Sequence, residues 1–192
     1  MGNVASVQKA LNFLSVQNCI TSDHTEIENS KCILLPGVGS FKQGMKNLKK
    51  NNLDEFLTEQ VIDKKKKFLG ICLGMQLLAE YGIEPDETKG LGWIKGSVKK
   101  LELQKNRVPH MGWNNIDVKI DTYYRNIPGA DFYFIHGYHF IPEDAAIIAA
   151  SVDYEIPIVA SIQKENIFAT QFHPEKSQVA GLSLLRNFFA NA

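Results

Sequence analysis

The sequence predicts an α/β fold, a doubly wound mixed sheet with antiparallel additions. Three observations carry the prediction. The first half alternates helix-like and strand-like stretches, the order expected of a parallel sheet covered by helices. The second half is a run of short strand-like pieces separated by Gly, Pro, Asn and Asp. The composition, 44% hydrophobic and 22% charged, is that of a soluble globular chain with a real core. At about 150 residues per domain, 192 residues are most simply one domain, residues 1–192.

Val4, Val7, Leu11 and Leu14 recur at helical spacing, with Asn3 placed to cap the opening helix, so a helix and not a strand comes first. Cys19–Thr21 and Lys31–Leu35 read as short strands, the second closed by the turn Pro36-Gly37-Val38-Gly39. Ser40 caps the next helix. Its stripe of Phe41, Met45 and Leu48 resumes after Asn51-Asn52 as Leu53, Phe56, Leu57 and Val61. Lys64 to Lys67 end this helix, where the macrodipole favours cations, and they are expected to be simply solvated. Phe68–Cys72 is a strand, followed by a tight turn and a helix over Met75–Tyr81. Strand-like pieces then fall in Gly90–Leu103, Pro109–Ile120, Asp131–Ile141, Ala145–Val152 and Ile158–Gln171. A last helix, Leu182–Phe189, turns Leu182, Leu185 and Phe189 to the core.

Several function classes are disfavoured by the same numbers. Lys plus Arg and Asp plus Glu both count 21, leaving no basic excess to grip phosphates or an anionic membrane. The apolar runs fall short of the roughly 18 residues of a membrane span. The N-terminus has no basic or apolar leader region, so the expected location is the cytoplasm. Cys19, Cys32 and Cys72 are widely spaced and form no CxxC pair, which argues against a disulfide framework and a zinc site. No metal or cofactor is called for.

The chemistry concentrates in Gly70-Ile71-Cys72-Leu73-Gly74-Met75-Gln76, at the junction of strand and helix. This is the layout of a nucleophile elbow, in which flanking glycines permit a sharp bend and the following amides stabilise negative charge. Most free cysteines are small buried hydrophobes; that reading is taken for Cys19 and Cys32, and Cys72 is the exception. A thiol nucleophile needs a base. Among His24, His110, His136, His139 and His173, only His173 lies at the C-terminal end of a strand, where ligands bind in open α/β sheets. Glu175, two residues on, can orient it, the logic of a Cys-His-Glu triad. His136 and His139, three apart in one strand-like piece, project to opposite faces. His110 reads as a surface residue. The amides of the Pro36 to Gly39 turn are placed to complete an oxyanion hole.

LPGVGSF at 35–41, GICLGMQ at 70–76, PHMGWN at 109–114 and ATQFHPEKS at 169–177 resemble the triad-type, class I glutamine amidotransferases. More narrowly, they resemble the glutaminase subunit of imidazole glycerol phosphate synthase in histidine biosynthesis. The resemblance implies a flavodoxin-like fold. It implies that Cys72 attacks the glutamine side-chain amide to give a glutamyl thioester and ammonia, that His173 shuttles protons, and that Glu175 orients it. It further implies an oxyanion hole from the backbone of Leu73 with Val38 or Gly39. Glutamine would be bound through Gln76 and the backbone near Gly137 and Tyr138. The implied partner is a TIM-barrel cyclase subunit, which receives the ammonia and forms imidazole glycerol phosphate and AICAR. His110, Trp113, Asn114, Tyr133 and Lys176 would lie near that interface.

Two departures stand out. The family usually has His-Ser or His-Thr before the tyrosine where this chain has His136-Gly137-Tyr138. It also normally opens with a strand ahead of the Gly2-Asn3 at which this chain begins, so an open slot is expected beside Lys31–Leu35. Other readings of the same residues are a paralogue feeding ammonia to a sugar amidotransferase in surface-polysaccharide synthesis, a partner-independent thiol hydrolase, and a non-catalytic binding subunit.

Overall fold

The computed structural model describes residues 4–190. Asn3, the expected N-cap, lies outside them. The chain opens with α1 (Val4–Phe13), whose Val7, Ala10 and Leu11 are buried. A short α2 (His24–Asn29), capped by Asp23 accepting from the Glu26 amide, leads into β1 (Cys32–Gly37). Ser40 caps α3 (Phe41–Lys50) as expected. The apolar stripe is then broken at Asn52, which takes a left-handed φ of 51°, before α4 (Leu53–Thr58) and a π-helical turn over Glu59–Asp63. β2 (Lys67–Cys72) runs straight into α5 (Leu73–Gln76).

α5 is one turn long, much shorter than the helix expected over Met75–Tyr81. The Leu77 carbonyl accepts from the Leu91 amide, and the Leu78 and Ala79 amides bond three residues back, so the chain tightens and leaves the helix. It continues as β3 (Tyr81–Ile83), β4 (Glu87–Lys89), β5 (Gly96–Lys100), β6 (His110–Asn115), β7 (Asp117–Val118), β8 (Asp131–His136) and β9 (Tyr138–Pro142). β10 (Ile148–Tyr154), β11 (Ile156–Lys164) and β12 (Ile167–Thr170) follow, and α6 (Gln178–Ala190) ends the described chain. The face that α6 buries is Ala180, Gly181, Leu184, Leu185 and Phe188; Leu182 and Phe189 sit at its margin.

The main sheet has the order β1-β2-β12-β11-β10-β7. β1, β2 and β12 are parallel, and β11, β10 and β7 are added antiparallel. Side chains alternate across it. Leu69, Ile71 and Phe168 enter one core with α1 and α6, while Phe68, Ala169 and Ile167 enter a second with α3, α4 and Leu73 to Leu78. A sheet with an apolar layer on each face is what the doubly wound expectation requires. A four-stranded sheet, β4-β3-β5-β9, and a β6-β8 pair complete the strands. No helix among the described residues is long and apolar enough to cross a membrane.

Three expectations fail here. Cys19–Thr21 is coil. β1 ends the main sheet, with no described strand on its outer edge, so the segment has no ladder to join. Between them runs a groove of about 1260 Å³ lined by Val7, Leu11, Ile20, Leu34, Leu48 and Leu57, which is the open slot expected beside Lys31–Leu35. Cys19 is exposed; Cys32 is half-buried, and burial pushes its thiol up to about 12 despite the opposing Lys67 and Lys66 charges. The lysine run is also more than solvated. Lys64 pairs with Glu28 and Glu59, Lys65 with Glu165, Lys66 caps α2 through the carbonyls of Ile27, Glu28 and Ser30, and Lys67 donates to the Phe188 carbonyl.

Candidate active site

The site lies at the C-terminal ends of the three parallel strands. Cys72 ends β2 at φ 54° and ψ −107°, a conformation that side chains rarely adopt. The glycines around it make the bend possible. A Cβ on Gly74 would stand 1.9 Å from the Leu35 carbonyl oxygen, and one on Gly70 would stand 2.9 Å from that of Gly74. Both strand and helix therefore approach closer than any side chain allows, and Cys72 is held on the corner, 6% exposed.

β12 delivers the base. After Thr170 the chain passes Gln171 and Phe172 to His173, whose amide donates to the Tyr133 carbonyl 2.9 Å away. The Ser177 hydroxyl donates to the His173 carbonyl (2.7 Å) and accepts from the Tyr133 amide (3.0 Å), which locks the 3₁₀ turn Pro174–Lys176 against β8. Within that frame His173 Nδ1 is 2.7 Å from Glu175 Oε1, both side chains being buried. Cys72 acts on the same imidazole and favours its charged form. Burial is the largest influence on His173 and opposes its charge, but the contacts with Cys72 and Glu175 outweigh it and raise the pKa to about 9. A carboxylate on Nδ1 leaves Nε2 to exchange a proton with the thiol.

The turn expected to form an oxyanion hole lies beside the elbow. Gly37 is in register with Cys72, and a Cβ there would touch that of Leu73 at 3.0 Å. Val38 and Gly39 follow directly, Gly39 at φ 104°. The Leu73 amide, first in α5, has no acceptor within its own helix. The Val38–Gly39 loop and the start of α5 thus lie side by side at the elbow.

The expected glutamine contacts are already engaged with one another. Gln76 Nε2 donates to the Tyr138 carbonyl (2.9 Å) and to Gln171 Oε1 (3.0 Å), and Gln171 Nε2 reaches Cys72 Sγ at 3.7 Å. Gln171 had no role in the sequence reading, although it stands in the quoted ATQFHPEKS; only its complete burial reveals it. Ser177 was missed in the same way. The Gly137 carbonyl accepts from the Leu101 amide, and a Cβ at Gly137 would meet nothing closer than Val108 Cγ1 at 3.7 Å.

Of the five expected interface residues, three form one cluster. Trp113 is 45% exposed and meets the Tyr133 ring edge-on at 5.9 Å, and Lys176 Nζ lies 5.8 Å over that ring, while the half-exposed Asn114 turns to the other face of β6 and meets His110. His110 is outside the cluster too. Its side chain is fully buried, stacked between Phe134 and Tyr154, because the inward face of β6 must fill the core beneath β8. His136 and His139 belong to different strands, split at Gly137, and His136 instead pairs with His110.

A strained cysteine at a strand–helix corner, a buried His–Glu pair and an adjoining glycine turn define an acyl-transfer site of the amidotransferase kind. The class-I glutamine amidotransferase family model matches residues 3–192, and the chain belongs to that family. Within it, the chain is 48% identical over 190 residues to imidazole glycerol phosphate synthase subunit HisH 1 of Campylobacter jejuni, covering 97% of this chain and 94% of that one. It is 45% identical over 195 residues to the HisH subunit of Pelagibacter ubique, with the same coverage. The crystal structure of a glutamine amidotransferase superposes with a TM-score of 0.76 over 98% of this chain and 93% of that one, at 17% identity, a likeness of fold alone.

Proposed function

We propose that this chain is the glutaminase subunit of an imidazole glycerol phosphate synthase. It hydrolyses L-glutamine to glutamate and ammonia and passes the ammonia to a cyclase subunit in the cytoplasm, for histidine biosynthesis. One observation carries the chemistry: Cys72, held at positive φ, acts on an imidazole whose Nδ1 is 2.7 Å from a buried carboxylate. In the proposed reaction His173 already holds the thiol proton as Cys72 attacks the side-chain amide carbon, and the oxyanion is held by the amides of Leu73 and of Val38 or Gly39. His173 then protonates the leaving ammonia. Water, deprotonated by His173, cleaves the thioester and releases glutamate.

The similarity to HisH subunits supports the choice of partner, and the Trp113, Tyr133 and Lys176 cluster is the surface we assign to it. Glutamine hydrolysis measured with and without a cyclase subunit tests the reading. Activity should rise strongly on adding the cyclase and vanish in Cys72→Ala. Equal activity without a partner, or hydrolysis surviving that substitution, would overturn it.

A further inference from the structure

Three polar side chains beside the triad have no part in the thioester chemistry, yet they form an unbroken line. Asn114 contacts His110 Nε2 at 2.8 Å, His110 Nδ1 lies 3.1 Å from His136 Nε2, and His136 Nδ1 lies 2.9 Å from the Tyr138 carbonyl oxygen. That same carbonyl accepts from Gln76, which holds Gln171, which reaches Cys72. The line therefore joins the half-exposed Asn114 to the nucleophile. We propose that Asn114, His110 and His136 are positioning residues, a one-directional hydrogen-bond line that fixes the Tyr138 carbonyl and, through Gln76 and Gln171, the Cys72 thiol.

The direction follows from proton counting. A carbonyl only accepts, so His136 must carry its proton on Nδ1. Burial, with the neighbouring His110, His139 and His173 adding to it, pushes His136 down to about 3 against the favourable bond to Tyr138. The ring is neutral, and its Nε2 is an acceptor. His110 must then donate from Nδ1, and burial lowers its pKa too. A neutral His110 leaves Nε2 as an acceptor in its turn, so the group it meets on Asn114 has to be a donor. The nearest Asn114 atom is Oδ1, which would demand a second proton on a buried ring; turned by 180°, the amide offers Nδ2–H and every bond is satisfied. The Asn114 carbonyl then turns away from His110. In the opposite direction, His136 Nδ1 and the Tyr138 oxygen would face each other as two lone pairs.

This inference rests on the glutaminase reading of the site, but its first test does not. Nitrogen-15 NMR of the histidine rings should find His110 and His136 both neutral with the proton on Nδ1; a proton on Nε2 of either ring would overturn the line. His110→Phe keeps the stack between Phe134 and Tyr154 but removes the donor. We expect His136 to lose its Nδ1–H preference and the KM for glutamine, in the complex with the cyclase, to rise about tenfold, the equivalent of one mispaired buried hydrogen bond. His110→Gln, whose amide can donate to His136, should recover most of both. A ring that serves only as packing predicts the reverse order, with Phe tolerated and Gln harmful. Absence of hydrolysis in the wild type would defeat the glutaminase reading and leave the NMR result to decide the line.

Discussion

Cys72 lies where the backbone is least comfortable. A side chain at positive φ outside the usual regions costs about 1 to 3 kcal/mol, and glycine largely escapes that cost. Cys72→Gly should therefore be more stable than Cys72→Ala by about 1 kcal/mol in urea unfolding, while neither hydrolyses glutamine. Equal stability would show that the corner is unstrained. Gly137 is the opposite case, a glycine with room to spare: the nearest side-chain atom to a Cβ there is 3.7 Å away. Gly137→Thr should leave the melting temperature within a few degrees, as expected for a substitution off the core. Its effect on the KM for glutamine separates two roles, since a lowered KM means the hydroxyl contacts substrate and an unchanged KM means the backbone suffices. At this scale the placing of Cys72, His173 and Glu175 was legible because residue type and local spacing state it: a cysteine between glycines, and a His and a Glu two apart. His110 was not, because its partner lies 26 residues away across the β6-β8 pair, and nothing in PHMGWN says which face of β6 turns inward.

Elements fix the site by close approach as much as by hydrogen bonds. α6 crosses the turn Pro174–Lys176 so tightly that a Cβ on Gly181 would stand 1.9 Å from the Pro174 carbonyl oxygen and 2.8 Å from Ser177 Cβ. Gly181→Ala must push this turn, and with it Glu175, away from the helix. We expect a loss of about 2 to 3 kcal/mol, the scale of overpacking a core, together with a fall in kcat, because Glu175 sits 2.7 Å from His173 on the displaced turn. Retained kcat alongside lost stability would mean that the turn moves as a rigid unit with His173. The helix periods and the Ser40 cap could be read from sequence, since they are local. The length of α5 could not, because it ends where a distant amide, that of Leu91, captures the Leu77 carbonyl. Cys19–Thr21 failed for a related reason: β-propensity describes a strand's fit to a sheet, and the described sheet gives this segment no neighbour.

Across the whole molecule, the parallel part of the sheet could be anticipated from the alternation of elements, whereas the order in which β10, β11 and β12 return beside β2 depends on pairings that no local pattern encodes. One global property follows from the buried histidines. His136 has a folded pKa of about 3 against an ordinary 6.5, and those of His110 and His139 are also lowered, chiefly by burial. As pH falls below 6.5 the unfolded chain takes protons that the folded chain refuses, so stability declines toward acid. The exposed carboxylates of Glu28, Glu155 and Glu165, held below 4.5 by their hydrogen bonds, add to this only at lower pH. His173 works in the other direction. Its folded pKa of about 9 lies above 6.5, so its contribution is complete below 6.5 and is lost as pH rises toward 9. Each of these histidines changes stability by at most about 1.4 kcal/mol per pH unit. Urea unfolding from pH 5 to 9.5 should thus give a maximum near pH 6.5. His136→Gln should flatten the acid side and Glu175→Gln, by removing the carboxylate that helps raise His173, the alkaline side. An alkaline slope unchanged in Glu175→Gln would mean that Cys72 alone sustains the imidazolium.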